Sequence, residues 1–252
     1  MKIAVVCITW LRPKQLGRMI WCYERQTHQD REMVILDDAH QYAPTSGDQW
    51  KLVSCPCRIS SLGAKRNIVT DLASAEAIAV WDDDDLYLPR ALEATAAALH
   101  YAPLSRPSLV LHPDDDGNLR QHATGGLFQS GWGYLRSAFD QAGGYPHLTC
   151  GEDQGLLRQF VAAGIKSVDP MALGYRPFMV YDWWNPETPH LSTGRWLNWR
   201  KDGGTGERVD IRPFIVKPPI DLDDPKIMPG VFPRAFDPEM KRFPVIGQWV
   251  TP

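Results

Sequence analysis

The stretch of this 252-residue chain best equipped for chemistry is WDDDDLYLP, residues 81–89. Asp82, Asp83, Asp84 and Asp85 follow an apolar run, AIAVW, that reads as a buried strand. Two carboxylates about 4 Å apart repel by roughly 4 kcal/mol at an effective dielectric near 20, so the cluster calls for a positive partner. A helix cap uses one Asp, and Pro89 suits a helix start, but capping leaves the remaining acids unexplained. Hard carboxylate oxygens at a strand end suit Mg²⁺ or Mn²⁺ holding a diphosphate. Side chains two apart on an extended chain share a face, so Asp82 and Asp84 are expected to point one way and Asp83 and Asp85 the other.

Other candidates fall where an open α/β sheet binds ligands, beyond the carboxyl ends of its strands. Thr9 to Pro13 follow one apolar run, and Asp37 and Asp38 close another. Gly63, Lys65, Arg66 and Asn67 open a helical stretch whose N-terminus and cations suit phosphate or ribose, although the two cations could equally be solvated charges. Glu152 and Asp153 open another helix, where acids are favoured in any case. Asp114 to Asp116 precede Gly-Asn and lack the spaced ligands of a calcium loop, so a solvated turn is expected.

The elements that must position these residues follow from periodicity. KIAVVCI (2–8) has the composition of a strand buried on both faces, and PKQLGRMIWCYERQ (13–26) repeats Leu16, Met19, Ile20 and Tyr23 at helical spacing. Met33 to Leu36 and KLVS (51–54) read as further strands, and GAKRNIVTDLASA (63–75) as a helix with Ile68, Val69 and Leu72 on its inner face. Strand and helix alternate through residue 100, which predicts a mainly parallel, Rossmann-like sheet with helices on both faces. Beyond it, SLVLH (108–112) reads as a strand, GGLFQSGWGYLR (125–136) as Gly-rich irregular strand, and EDQGLLRQFVAAG (152–164) as a helix closed by Gly164. Residues 201–252 are rich in Pro, Gly and charge, the pattern of an extended tail.

Composition narrows the function classes. A net charge of −3 gives no global basic field for nucleic acid or anionic membrane, though a local basic groove is compatible with it. No run approaches the ~18 apolar residues of a membrane span. Five cysteines without a C-x-x-C pair argue against a disulfide framework and a structural zinc site, and point to a reducing, cytoplasmic setting. Cys55 and Cys57 read as ordinary loop thiols.

The motifs CITWLRP (7–13), VILDDA (34–39), LGAKRN (62–67), WDDDDLYLP (81–89) and GEDQGLLRQF (151–160), in this order, resemble a family 2 glycosyltransferase of the GT-A fold. The resemblance covers roughly residues 1–165 and implies a GT-A domain over 1–200, with a nucleotide-sugar half (1–105) and an acceptor half (106–200). It implies that Thr9, Arg12 and Asp38 or Asp37 hold the nucleotide base. The family's D-x-D motif maps onto Asp82, Asp84 and Asp85 with Asp83 as the variable position, in a register that can shift by one because every position is Asp. It implies Asp153 as catalytic base beside Glu152, and His190 as a further ligand for Mn²⁺ or Mg²⁺, although a lone His is more often a surface residue. Trp183, Trp184, Trp196 and Trp199 flank His190 and suit packing or sugar faces.

These readings converge on an inverting, metal-dependent transfer of a sugar from a nucleotide diphosphate, a UDP-sugar being the expected donor, to an acceptor hydroxyl. The acceptor is open: a saccharide, a lipid-linked glycan, a protein or a modified base in nucleic acid. A retaining transferase and a Mg²⁺-dependent nucleotidyltransferase are the rival enzymes. A carbohydrate-binding module fits the tryptophans and leaves the acids unexplained.

Overall fold

The computed structural model describes residues 1–43, 45–113 and 119–181. Its first half runs β1 (Ile3–Thr9), α1 (Pro13–Glu24), β2 (Arg31–Asp37), β3 (Thr45–Gly47), β4 (Trp50–Ser54), α2 (Leu62–Asp71), β5 (Ala77–Asp82), β6 (Leu86–Tyr87) and α3 (Ala91–Leu99). Its second runs β7 (Leu104–Ser105), β8 (Leu109–Pro113), β9 (Leu119–Ala123), β10 (Gly133–Leu135), α4 (Arg136–Ala142), α5 (Glu152–Ala162), β11 (Ser167–Val168), a 3₁₀ turn (Pro170–Leu173) and β12 (Met179–Val180). The 201–252 tail, the Asp114–Asp116 run, His190 and the four late tryptophans lie outside the described residues.

The main sheet has the order β11-β7-β10-β5-β1-β2-β4-β3, and its central strands β5, β1, β2 and β4 are parallel. β1 is buried along its whole length because both faces are covered. Ile3, Val5 and Cys7 pack with α1 and α3, while Ala4, Val6 and Ile8 pack with residues of α2, α4 and α5. The chain winds from β1 to β2 on one side and returns to β5 on the other, so the strand order reverses at β1 and opens a crevice beyond the carboxyl ends. Register brings the candidate residues to one level: Thr9 pairs with Asp37, and Ile8 with Asp82. A smaller sheet, β6-β12-β8-β9, adjoins this crevice through β6.

One residue of the expected face of α2 is misplaced. Val69 is buried and Leu72 packs against the core, but Ile68 is exposed at 39%, and Gly63, Lys65, Arg66 and Thr70 are buried in its stead. This helix covers the acidic strand ends, so part of its inner face supplies cations there, which apolar periodicity alone does not reveal. Gly63 is required by close approach, since a Cβ there would collide with the carbonyl oxygen of Pro146. α3 begins at Ala91 with no side-chain cap, so none of the four aspartates serves as one. All five cysteines are free, and among the described residues no helix is long and apolar enough to cross a membrane.

Candidate active site

β5 ends at Asp82, and residues 83–85 form a turn before β6 resumes at Leu86. Burial alternates as an extended chain would have it, with Asp83 and Asp85 buried and Asp82 and Asp84 half-buried. The two-faced arrangement itself does not hold, because the turn brings Asp83 and Asp84 onto one guanidinium. Arg12 Nη1 donates to Asp83 Oδ1 at 3.0 Å and to Asp84 Oδ2 at 2.6 Å. Thr9 Oγ1 donates to Asp83 Oδ2 at 2.6 Å, and Arg66 Nη2 to Asp82 Oδ1 at 3.0 Å. Arg12 and Arg66 are thus cations that offset the repulsion in the acidic run. Burial and the neighbouring Asp84 push the Asp83 carboxyl above the usual range, against the pull of Arg12 and Thr9. Burial opposes charge on Arg12, but Asp83 and Asp84 outweigh it and hold the guanidinium above its ordinary value.

The acidic turn is clipped at its base. Trp81 and Tyr87 stack across it with ring centroids 3.8 Å apart and planes 3° from parallel. The Asp82 backbone N–H donates to the Tyr87 hydroxyl at 2.7 Å, and that hydroxyl also bonds Ser130 Oγ. Sequence reasoning missed this clip, although aromatic residues bracketing an acidic run were its visible signal.

The two candidate base-pocket acids differ in what they do. Asp37 accepts the Ala39 N–H at 3.0 Å, the Gln41 N–H at 2.9 Å and the Ser54 hydroxyl at 2.7 Å, which fixes the loop after β2. Asp38 accepts Lys65 Nζ and Arg58 Nη1 on one oxygen and the Ile59 N–H at 3.1 Å on the other. Lys65 also donates to the Thr9 carbonyl, tying β1 to α2. Burial lowers the Lys65 ammonium, with Asp38 opposing. The exposed Arg58 guanidinium lies 4.5 Å from the Trp10 ring centroid. Neither residue was singled out beforehand, since nothing in spacing alone joins positions 10, 38 and 58.

Gly63 and Asn67 act on the chain rather than on the crevice in this structure. The Asn67 amide donates to the Tyr145 carbonyl at 2.9 Å and accepts the Tyr145 N–H at 2.8 Å, while the Gly63 N–H donates to the Leu148 carbonyl at 2.9 Å. These bonds hold the loop that leads into α5.

α5 brings Glu152 and Asp153 to the acidic turn. Glu152 is buried and accepts Arg66 Nε at 3.3 Å, so one guanidinium links β5 to the start of α5. Burial raises the Glu152 carboxyl against the pull of Arg66. Asp153 is half-buried, and its oxygens accept the Gln154 N–H at 2.7 Å and the Gln154 side-chain amide at 3.3 Å. The same amide donates to the Leu127 carbonyl at 3.1 Å. Burial, followed by the charges of Asp85, Asp82, Asp84 and Asp153, raises the Tyr181 hydroxyl. Arg66 joins α2, the end of β5 and the start of α5, and Val180, next to Tyr181, pairs with Leu86 just after the acidic turn.

Among the described residues no three His, Cys, Asp or Glu side chains converge as a ready metal cage. Mg²⁺ and Mn²⁺ sites that use one or two carboxylates and substrate phosphates need no such cage. The half-buried Asp82 and Asp84 offer hard oxygens of the right kind, and one Asp82 oxygen is bonded by Arg66.

A doubly wound sheet with acidic strand ends at its switch point is the architecture of GT-A glycosyltransferases, and solved structures of that kind resemble it. Staphylococcus aureus TarS 1–349 in complex with UDP-GlcNAc matches with a TM-score of 0.58 and 17% identity over 77% of this chain and 61% of that one. The mannosyltransferase PcManGT from Pyrobaculum calidifontis, in complex with GDP-Man and Mn²⁺, matches with a TM-score of 0.54 and 14% identity over 79% of this chain and 60% of that one. This chain therefore spans about three fifths of the length of each, and at such identities the likeness speaks for the fold. The chain belongs to glycosyl transferase family 2, whose profile matches residues 4–150. That match holds the acidic turn and ends before Glu152 and Asp153. None of the curated proteins matches the chain in sequence.

Proposed function

We propose that this chain transfers a sugar from a nucleotide diphosphate donor, a UDP-sugar, to an acceptor hydroxyl with inversion at the anomeric carbon. The observation that carries this reading is the Arg66 guanidinium, which bonds Asp82 of the acidic turn and Glu152 at the start of α5 and so brings the neighbouring Asp153 to that turn. One locus then offers carboxylates for a cation and diphosphate and a separate carboxylate for a proton.

In this reading Thr9 and Asp38 border the nucleotide base, and Asp82 and Asp84, out of the sequence-derived set Asp82, Asp84 and Asp85, would hold Mn²⁺ or Mg²⁺ together with the donor's phosphates. When bound, that cation neutralises charge on the leaving diphosphate. Asp153 takes the proton of the acceptor hydroxyl as its oxygen bonds the anomeric carbon and the bond to the diphosphate breaks. Gln154 orients Asp153 through its paired bonds. Arg66 holds donor carboxylate and base helix in fixed relation through Asp82 and Glu152. UDP-GlcNAc in TarS and GDP-Man with Mn²⁺ in PcManGT support the donor class and the cation.

The test is product analysis on a panel of UDP- and GDP-sugars with Mn²⁺, Mg²⁺ or EDTA. Free nucleoside diphosphate released only with a divalent cation, and an inverted anomeric centre in the product, are expected. Pyrophosphate release would assign a nucleotidyltransferase instead, and retained configuration would remove Asp153 from the role of base.

A further inference from the structure

Beside Asp153 runs a row of half-buried rings that the catalytic scheme does not use. Tyr181 and Phe128 have centroids 4.8 Å apart at 45°, and Phe128 and His122 follow at 6.3 Å and 28°. We propose that this row is the acceptor subsite and that its occupant is a neutral saccharide stacked on Phe128. The inference rests on the transfer reaction proposed above and names the acceptor it would use.

Position is the first argument. The Gln154 amide donates both to Asp153 Oδ2 and to the carbonyl of Leu127, so the segment carrying Phe128 is bonded to the side chain that orients the base. Leu127 itself is 43% exposed. Tyr181 follows Val180, which pairs with Leu86 just after the acidic turn, at one end, and His122 lies on β9 at the other. An acceptor lying along the row would present its terminal hydroxyl at Asp153.

Chemistry selects the occupant. Aromatic faces carry a negative quadrupole that attracts the polarised C–H face of a sugar ring. Two successive ring-to-ring steps offer a path for consecutive sugar units. The tilts between rings break a continuous flat slot of the kind stacked bases use. Nucleic acid also needs cations to neutralise its phosphates, and the row ends at Tyr181, beside the strand pair that follows the four aspartates. Burial holds the His122 imidazole below its usual range, which disfavours charge on the outer ring.

Saturation-transfer NMR on the full chain with UDP and Mn²⁺ tests this, using cellobiose, maltose, lactose, chitobiose and mannobiose as probes. The expected result is transfer to ring C–H protons of at least one disaccharide. Affinity should fall about tenfold in Phe128→Ala and in Phe128→Leu, since leucine keeps the bulk and loses the aromatic face. UDP affinity in both variants reports folding and should equal that of the wild type. Phe128→Leu binding as well as wild type, no disaccharide binding to a UDP-competent protein, or Phe128-dependent binding of a hydroxymethylcytosine oligonucleotide would each overturn the subsite. Failure of the wild type to bind any nucleoside diphosphate would instead sink the transfer reaction on which it rests.

Discussion

The two sides of the crevice are built on different principles. On the side proposed for the donor, Asp38, Asp82, Asp83 and Asp84 are matched by Lys65, Arg66 and Arg12, with every one of these cations held by two or more bonds. On the side proposed for the acceptor, Asp153 is half-buried and accepts hydrogen bonds from the neighbouring Gln154. A diphosphate donor presents the same charges each time, so fixed and buried compensation suits it. A base that meets varied hydroxyls needs access, which burial within an ion-pair network would deny. The contrast implies that substitutions on the donor side unfold the protein or empty the site, while those on the acceptor side alter turnover in an intact fold.

The largest effect that separates the two sides is expected from Arg66→Ala. It leaves Asp82 and Glu152 without their shared cation, and breaking a buried pair in this way costs about 3–5 kcal/mol. Urea unfolding measures it, and a loss below 1 kcal/mol would show that the donor side is not held by this pair. Gly63→Ala comes next, at roughly 1–3 kcal/mol, because the added methyl meets the Pro146 backbone rather than a flexible side chain.

Asp37 and Asp38 divide the comparison more finely. Asp37→Ala should cost about 1–3 kcal/mol of stability, since buried donors lose their acceptor, with UDP affinity little changed. Asp38→Ala should weaken UDP binding and also destabilise, because Lys65 is left buried without its carboxylate. Equal UDP affinities in both, by calorimetry, would remove Asp38 from the base pocket. Gln154→Ala should have the smallest effect on stability, about 1 kcal/mol or less, while lowering turnover through a less well oriented Asp153. A stability loss as large as that of Arg66→Ala would erase the contrast between the sides.

The difference between the sides also explains what the sequence disclosed. Strand ends were legible because β1, β2 and β5 are short apolar runs closed by polar residues, and their parallel register then aligns Thr9, Asp37 and Asp82. That the acidic run needed a positive partner followed from repulsion alone. The identity of that partner did not, because Arg12 and Arg66 reach it across 71 and 16 residues respectively. The inward face of α2 was read only in part for the same reason: Val69 and Leu72 meet the core, but Lys65 and Arg66 are buried against carboxylates and Ile68 faces outward. The Trp81–Tyr87 clip, the Arg58–Trp10 stack and the Gln154–Leu127 bond depend on tertiary placement that periodicity does not encode.

The most direct test of the account is Asp153→Asn, which keeps the side chain's shape and removes the carboxylate proposed as the base. UDP and Mn²⁺ affinity by calorimetry and turnover of the best UDP-sugar should be measured on the same preparation. The account predicts unchanged affinity with turnover reduced by about 10² to 10⁴, the range that a positioned general base supplies. Near-normal turnover, or an affinity that falls in step with it, would contradict the division between a donor side that holds and an acceptor side that reacts.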